Sequence, residues 1–426
     1  MTGPSMNRRD FARLFAAGGS AALLGHPRFA GAQPTPLTRS ALRPAAVDWE
    51  AVRAQFTIPE EVSVLNAANL CPAPRAVLED VAAHTTRLDS EPFPSYRSEI
   101  QSAKETTRDR LAAHLRVSPE EILITRNTSE ANNWVSTGLD LGPGDEVLIF
   151  SDNHPSNNRA WKEKGARFGY TVVEVPHVDP HPGAEYYLEA FEAAITPRTR
   201  VMTLMQHTNT SGDVFPAKEL CAMAHERGVL TLVDGAQSFG LFDVDLSDWQ
   251  PDFFSGSAHK WLCGPKEAGV LFVNQRVHDR FHPSVYSAYT GSRGISRTHE
   301  GLGQRDTPTL HAFGGHIAFL GEIGQGEIEA RSRELATMLV EELSALDEVH
   351  MWTPAQAERR GAVVTFRPGE LDARRVIGAL EEDGIVAAAR GGSDRPGIRF
   401  SPHFYNSERD CERAVEAIRG YLRTGL

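Results

Sequence analysis

From residue 146 onward, short apolar runs alternate with amphipathic helical patterns, and few architectures accommodate that rhythm. The runs are Glu146 to Phe150, Thr171 to Val175, Val201 to Met205, Val229 to Val233, Phe253 to Phe254 and Gly269 to Val273. Between them, residues 157–167, 187–195 and 217–227 carry apolar side chains at helical spacing. Short runs that are apolar throughout suit strands buried on both faces, and intervening helices supply the cover. The pattern predicts an α/β fold with a mostly parallel sheet, in which ligands sit at the carboxyl ends of the strands.

The flanks differ. Upstream, helical patterns run from Pro74 to Leu88 and from Tyr96 to Leu115, followed by a capping-box spacing at Ser118 to Glu121. Downstream come one long helical pattern from His316 to Leu346, a strand at 362–366, a helix at 372–383, two short strand candidates and a helix at 408–422. That order predicts a large domain over 47–310, whose N-terminal segment contributes to a smaller α+β domain over 311–426. A length of 426 residues is ample for two such units.

The first 32 residues belong to neither. Asn7-Arg8-Arg9-Asp10-Phe11 is a twin-arginine pair, Leu14 to Leu24 is weakly apolar, and Ala30-Gly31-Ala32 offers small residues for cleavage. Residues 1–32 therefore read as a twin-arginine export signal and 33–46 as a linker, with a periplasmic address as the expectation. No later run is long enough to anchor the chain in a bilayer. A net charge of -12 argues against nucleic acid or anionic membranes as partners. Cys71, Cys221, Cys263 and Cys411 are scattered without a CxxC pair, so neither a disulfide scaffold nor a thiolate metal site is expected.

Two segments carry the chemistry: Leu232-Val233-Asp234-Gly235-Ala236-Gln237, and Ser255-Gly256-Ser257-Ala258-His259-Lys260-Trp261. Each sets polar groups immediately after a strand pattern, where they can converge on one pocket. Taken singly, the lysine would read as a solvated surface group and the aspartate as a turn residue. Together they resemble the class V aminotransferases of the fold-type-I pyridoxal-phosphate (PLP) superfamily. That family includes cysteine desulfurases, isopenicillin-N-epimerase-like proteins and C–S lyases, and the resemblance spans nearly all of the chain beyond the signal.

The resemblance implies a seven-stranded, mostly parallel sheet with a smaller C-terminal α+β domain, and PLP held by Lys260 as an imine. Asp234 would sit opposite the pyridine nitrogen, so that the ring accepts electrons when a bond at the α-carbon breaks, and Gln237 near the phenolic oxygen. Ser257 and His259 match phosphate-binding positions. Thr128 and Ser129, at a strand-to-helix turn, would add phosphate contacts, although a plain helix N-cap explains the same residues. His154 would stack on the ring and Asn209 would approach the phenolic oxygen, against ordinary loop and turn residues as the alternatives. Gly303-Gln304-Arg305-Asp306 resembles the GTRD segment of the isopenicillin-N-epimerase-like branch, with Gln304 in place of the threonine that reaches the partner's phosphate; it implies a homodimer. Arg390 matches the arginine that grips the substrate carboxylate, with Arg399 as its competitor and a structural ion pair as the bland reading for both.

Residues 387–406 contain no cysteine to accept sulfur, which disfavours sulfur transfer. The expected reactions are aminotransfer or epimerisation of a free or peptide-borne amino acid, with Lys260 moving the α-proton, or else β-elimination of the C–S lyase type. A third possibility is a fold that binds without catalysis. The exported branch of the family includes an enzyme that tailors the glutamate side chain of a pyoverdine siderophore, so a periplasmic peptide substrate is the specific expectation.

Overall fold

The computed structural model describes residues 47–390 and 394–426. The export signal, the linker, and Gly391 and Gly392 of the arginine segment lie outside them. Strand β1 (Ser63–Val64) precedes the main sheet, whose members are β2 (Ile122–Thr125), β3 (Glu146–Phe150), β4 (Thr171–Val175), β5 (Thr199–Leu204), β6 (Leu230–Asp234), β7 (Phe253–Ser257) and β8 (Gly269–Val273). Their spatial order is β2-β8-β7-β6-β5-β3-β4, parallel throughout except that β8 runs antiparallel to both neighbours. The expected α/β class and mostly parallel sheet are what the chain forms.

Apart from the edge strand β4, the strands are apolar because both faces are covered. Leu148, Phe150, Val233, Phe254 and Phe272 face one buried cluster, whereas their chain neighbours Val147, Ile149, Leu232, Phe253 and Leu271 face another. Period-two alternation between two cores reads in the sequence as an unbroken apolar run.

The long helical pattern at 316–346 is two helices, Thr307–Ile323 and Gln325–Ser344. Gly324, with φ of +95°, ends the first, a conformation that a residue with a Cβ enters at a cost. Beyond them lie β9 (Val349–Met351), β10 (Val364–Pro368), β11 (Ile385–Val386), β12 (Ala388–Arg390) and β13 (Gly397–Phe400). Strands β12-β13-β10-β9 form an antiparallel sheet, while β11 pairs in parallel with β1. The Ser407 hydroxyl and the Asp410 carboxylate form a capping box that starts the last helix, Glu408–Thr424.

Candidate active site

Four neighbouring strands of the main sheet, β7, β6, β5 and β3, run parallel, and their carboxyl ends supply the site. Asp234 closes β6 opposite Ser255 of β7, and Lys260 follows β7 by three residues. Asn209 follows β5 and His154 follows β3. Parallel pairing therefore lines up four loop starts that are far apart in the chain.

A cavity of about 250 Å³ opens among these loops. Its wall includes His154, Asn209, Gln237, Lys260 and Arg390, and also Arg399, the competing arginine. The remaining candidates stand off the wall. Asp234, 6% exposed, lies within electrostatic range of Lys260. Thr128 and Ser257 touch each other, His259 is half-buried, and Ser129 and Gln304 are exposed. The Gln304 carbonyl accepts a bond from Arg97 at 3.4 Å and does not reach this cavity.

Lys260 makes no hydrogen bond or ion pair among the described residues, although it is sequestered enough that burial pushes its amine down to about 8. Asp234 opposes that shift and Arg399 reinforces it. The Asp234 carboxylate is held on both oxygens: Asn132 Nδ2 donates at 2.9 Å and the Ala236 amide at 3.1 Å. Asn132 is in turn fixed by the Ser255 hydroxyl at 2.7 Å. Its positioning role was invisible in the sequence because it lies on the helix Thr128–Gly138, more than a hundred residues from its partners.

At the start of that helix, the N-cap is Asn127, whose side chain accepts from the Glu130 amide at 3.0 Å. Thr128 is thus released from the capping role that was its plain explanation. Its amide donates to Ser257 Oγ at 2.8 Å, and the two hydroxyls also meet at 2.8 Å. A helix N-terminus with two hydroxyls converging on it suits an anion.

Gln237 is clamped by a 2.6 Å bond from Trp261 Nε1 to its carbonyl and by its own amide donating to Ala68 O at 3.0 Å, which leaves its second amide hydrogen for the cavity. His154 accepts from the Ser156 amide through Nδ1 at 3.2 Å, so its proton resides on Nε2. Burial, then Lys260, holds this imidazole below its ordinary range, and His259 is pushed down to about 4 by burial and by the charges of Lys260 and Lys266.

Both arginines reach the cavity, but they are held differently. Arg399 is 4% exposed, donates to Asn209 O at 2.9 Å and to Asn66 Oδ1 at 3.4 Å, and keeps Nε unpartnered. Burial, then Arg390, pushes it down to about 9. Arg390 donates to Thr210 Oγ1 at 3.3 Å and also leaves Nε unpartnered. Among the described residues, neither guanidinium has a carboxylate within ion-pair distance. The bland reading of a structural ion pair therefore fails for both, and Arg399 is the more deeply buried unpaired cation.

A further element lay unread in the sequence. Asp152, two residues before His154, forms a buried ion pair with Arg395, which also contacts His177 Nε2 at 3.1 Å and Ser211 Oγ at 3.2 Å. Thr208 donates to the same carboxylate at 2.9 Å. This network ties the segment between the two arginines onto the loops after β3 and β5.

Residues 65–413 match the family model described as aminotransferase class-V. An isopenicillin N epimerase of Amycolatopsis lactamdurans is 32% identical over 394 residues, covering 88% of this chain and 98% of the relative. A cysteine desulfurase of Haloferax volcanii is 28% identical over 418 residues, 87% of this chain and 96% of the relative. Among solved structures, a variant of C-DES with glycine covalently linked to its PLP cofactor superposes with a TM-score of 0.80 at 24% identity, over 86% of this chain and 98% of that one.

Proposed function

Because the chain belongs to the aminotransferase class-V family, whose cofactor is PLP, we propose that it acts at the α-carbon of an amino-acid or peptide-borne amino-acid substrate by aminotransfer or epimerisation. The residues present fit that cofactor: an unpartnered Lys260 in the cavity, a fixed carboxylate at Asp234, and the Thr128 and Ser257 hydroxyls at a helix N-terminus. Ser129 and His259 flank that cradle, and His154, Asn209 and Gln237 line the wall around the ring's place. Bound there, PLP supplies an aldehyde for Lys260 and an electron sink for bond breaking at the α-carbon.

The observation that carries the reading is two carboxylate-free guanidiniums facing one unpaired lysine in the same cavity. Arg399, assisted by Arg390, grips the substrate carboxylate and fixes which substituent meets Lys260. Lys260, with its amine lowered to about 8, is neutral in about one molecule in ten at pH 7, far more often than an ordinary lysine, and moves the α-proton. Sulfur transfer lacks an acceptor, since all four cysteines are buried and none lines the cavity. β-Elimination uses the same lysine and arginines and is the second reading, as a cysteine desulfurase at 28% identity also breaks a C–S bond.

The test is product analysis in D2O with candidate amino acids and short peptides. Deuterium at the α-carbon with loss of chirality, or an oxo acid with aminated cofactor, supports the proposal. Pyruvate with a released thiol replaces it by elimination. A purified chain that gains no visible absorbance with PLP would leave only a binding protein. Lys260→Ala should lower turnover by about 10²- to 10⁴-fold, and unchanged turnover refutes the lysine's role.

The Arg8-Arg9 pair supports twin-arginine export to the periplasm, tested by fractionating cells that carry Arg8→Lys with Arg9→Lys; unchanged periplasmic recovery rejects it. The Gln304 segment and the exposed Phe93, Tyr286 and Tyr289 support a homodimer, which a monomer mass in light scattering would exclude.

A further inference from the structure

Away from the cavity, Asp80 and His84 lie one turn apart on the helix Arg75–Ser90, and His311 faces them from the helix Thr307–Ile323. Asp80 Oδ1 is 3.3 Å from His84 Nε2, and Asp80 Oδ2 is 2.7 Å from His311 Nδ1. The two imidazole centroids are 4.1 Å apart, and one potential ligand atom from each of the three residues falls within 4.8 Å of the others. We propose that Asp80, His84 and His311 bind a zinc-class divalent metal ion that staples these two helices together.

Around a tetrahedral ion with bonds of about 2.0 Å, neighbouring ligand atoms are roughly 3.3 Å apart, so side-chain adjustments of an ångström or less close the site. Two imidazoles and one carboxylate suit zinc and its transition-metal neighbours, whereas magnesium and calcium favour all-oxygen sites. The surroundings already provide an outer shell. His84 Nδ1 meets the Tyr96 hydroxyl at 2.7 Å, and that hydroxyl lies 3.5 Å from the His84 carbonyl. With Nδ1–H donating to the tyrosine, Nε2 presents its lone pair toward Asp80 and His311, the arrangement that orients metal-bound histidines.

The nearby cation Arg87 lies over the Tyr96 ring at 4.0 Å and is offset by Glu91 at 3.1 Å and Glu99 at 3.8 Å. The three ligands are half-buried, which leaves access for the ion and room for one or more waters. The helix Thr307–Ile323 begins directly after Gln304-Arg305-Asp306, so the ion would brace the base of that turn.

Chelator-treated holoenzyme titrated calorimetrically with Zn2+ should take up one ion per chain, with a rise in melting temperature. Tyr96→Phe should weaken binding about tenfold, as loss of an outer-shell partner does. His84→Gln and His311→Gln should each weaken it more, with the metal-free melting temperature and the cofactor absorbance unchanged. No saturable uptake by the wild type, or uptake at wild-type affinity in both histidine variants, overturns the proposal. Should either variant fail to fold, Co2+ added to the wild-type chain decides: d–d absorption of a low-coordinate site, lost on Zn2+ addition, supports the site, and its absence rejects it.

Discussion

Two buried arginines in this molecule are held in opposite ways. Arg108, on the helix Pro94–Leu115, meets Glu300 through two bonds of 2.7 and 2.8 Å, receives Glu105 at 3.0 Å, and is raised above its ordinary value by these carboxylates despite its burial. Glu300 in turn accepts from the Ile124 amide at 2.8 Å, so the pair pins the helix to β2. Arg399 is as deeply enclosed but sees only neutral oxygens, and its guanidinium is pushed down to about 9. Where an arginine serves the fold, the chain supplies its counter-charge. Where the chain withholds it, the folded state tolerates an unpaired cation that a ligand can neutralise.

That contrast can be broken in several ways. Glu300→Ala leaves Arg108 buried and uncompensated, and should cost about 3–5 kcal/mol of unfolding free energy in denaturant titration while leaving the KM of residual folded enzyme unchanged. Arg399→Ala should do the reverse. Its kcat/KM falls by about 3 kcal/mol, roughly 100-fold, with stability unchanged or raised, because an unpaired charge has been removed. Equal stability losses in the two variants would erase the distinction.

A non-reacting carboxylic acid analogue of the substrate should raise the melting temperature of the wild type, and this rise should vanish in Arg399→Ala. Arg390→Gln, at a half-buried position, should raise KM about tenfold with little change in kcat; a larger effect than at Arg399 would exchange the roles assigned to the two.

The last effect concerns pH. Lys260 has a folded pKa of about 8, below its ordinary 10.5, so between those values the unfolded chain binds more protons than the folded one. Stability of the cofactor-free protein should therefore rise as pH increases from about 8 toward about 10.5. Lys260→Met should flatten that rise in pH-dependent thermal melts.

Much of the architecture is legible along the chain. Apolar runs and helical spacing locate β3, β4, β6 and β8 to within a residue: β3, β6 and β8 are buried along their whole length, and β4, at the sheet edge with Thr171 and Glu174 exposed, is still marked by its valines. The pattern at 316–346 hides a helix end, since one glycine does not interrupt an apolar periodicity although the Gly324 backbone ends the first of two helices. The segments bearing Lys260 and Asp234 announce themselves by their position after strands. Asn132 does not: its partners Asp234 and Ser255 meet it only where its helix packs on the sheet. Arg395 and Asp152 are equally unremarkable in sequence and become a buried pair only when the smaller domain folds back.

The choice between Arg390 and Arg399 shows the boundary best. The sequence by itself determined that two arginines follow the last helix-to-strand passage with no cysteine among residues 387–406, and that Asp234 and Lys260 each come just after a strand pattern. Only the tertiary structure decided which cations lack a carboxylate, and it likewise brought His311 to Asp80 and His84. Strand and helix periodicity is a property of neighbouring residues and is written locally. Charge compensation and ligand geometry depend on groups hundreds of residues apart, whose distances exist only once the sheet has aligned its carboxyl ends.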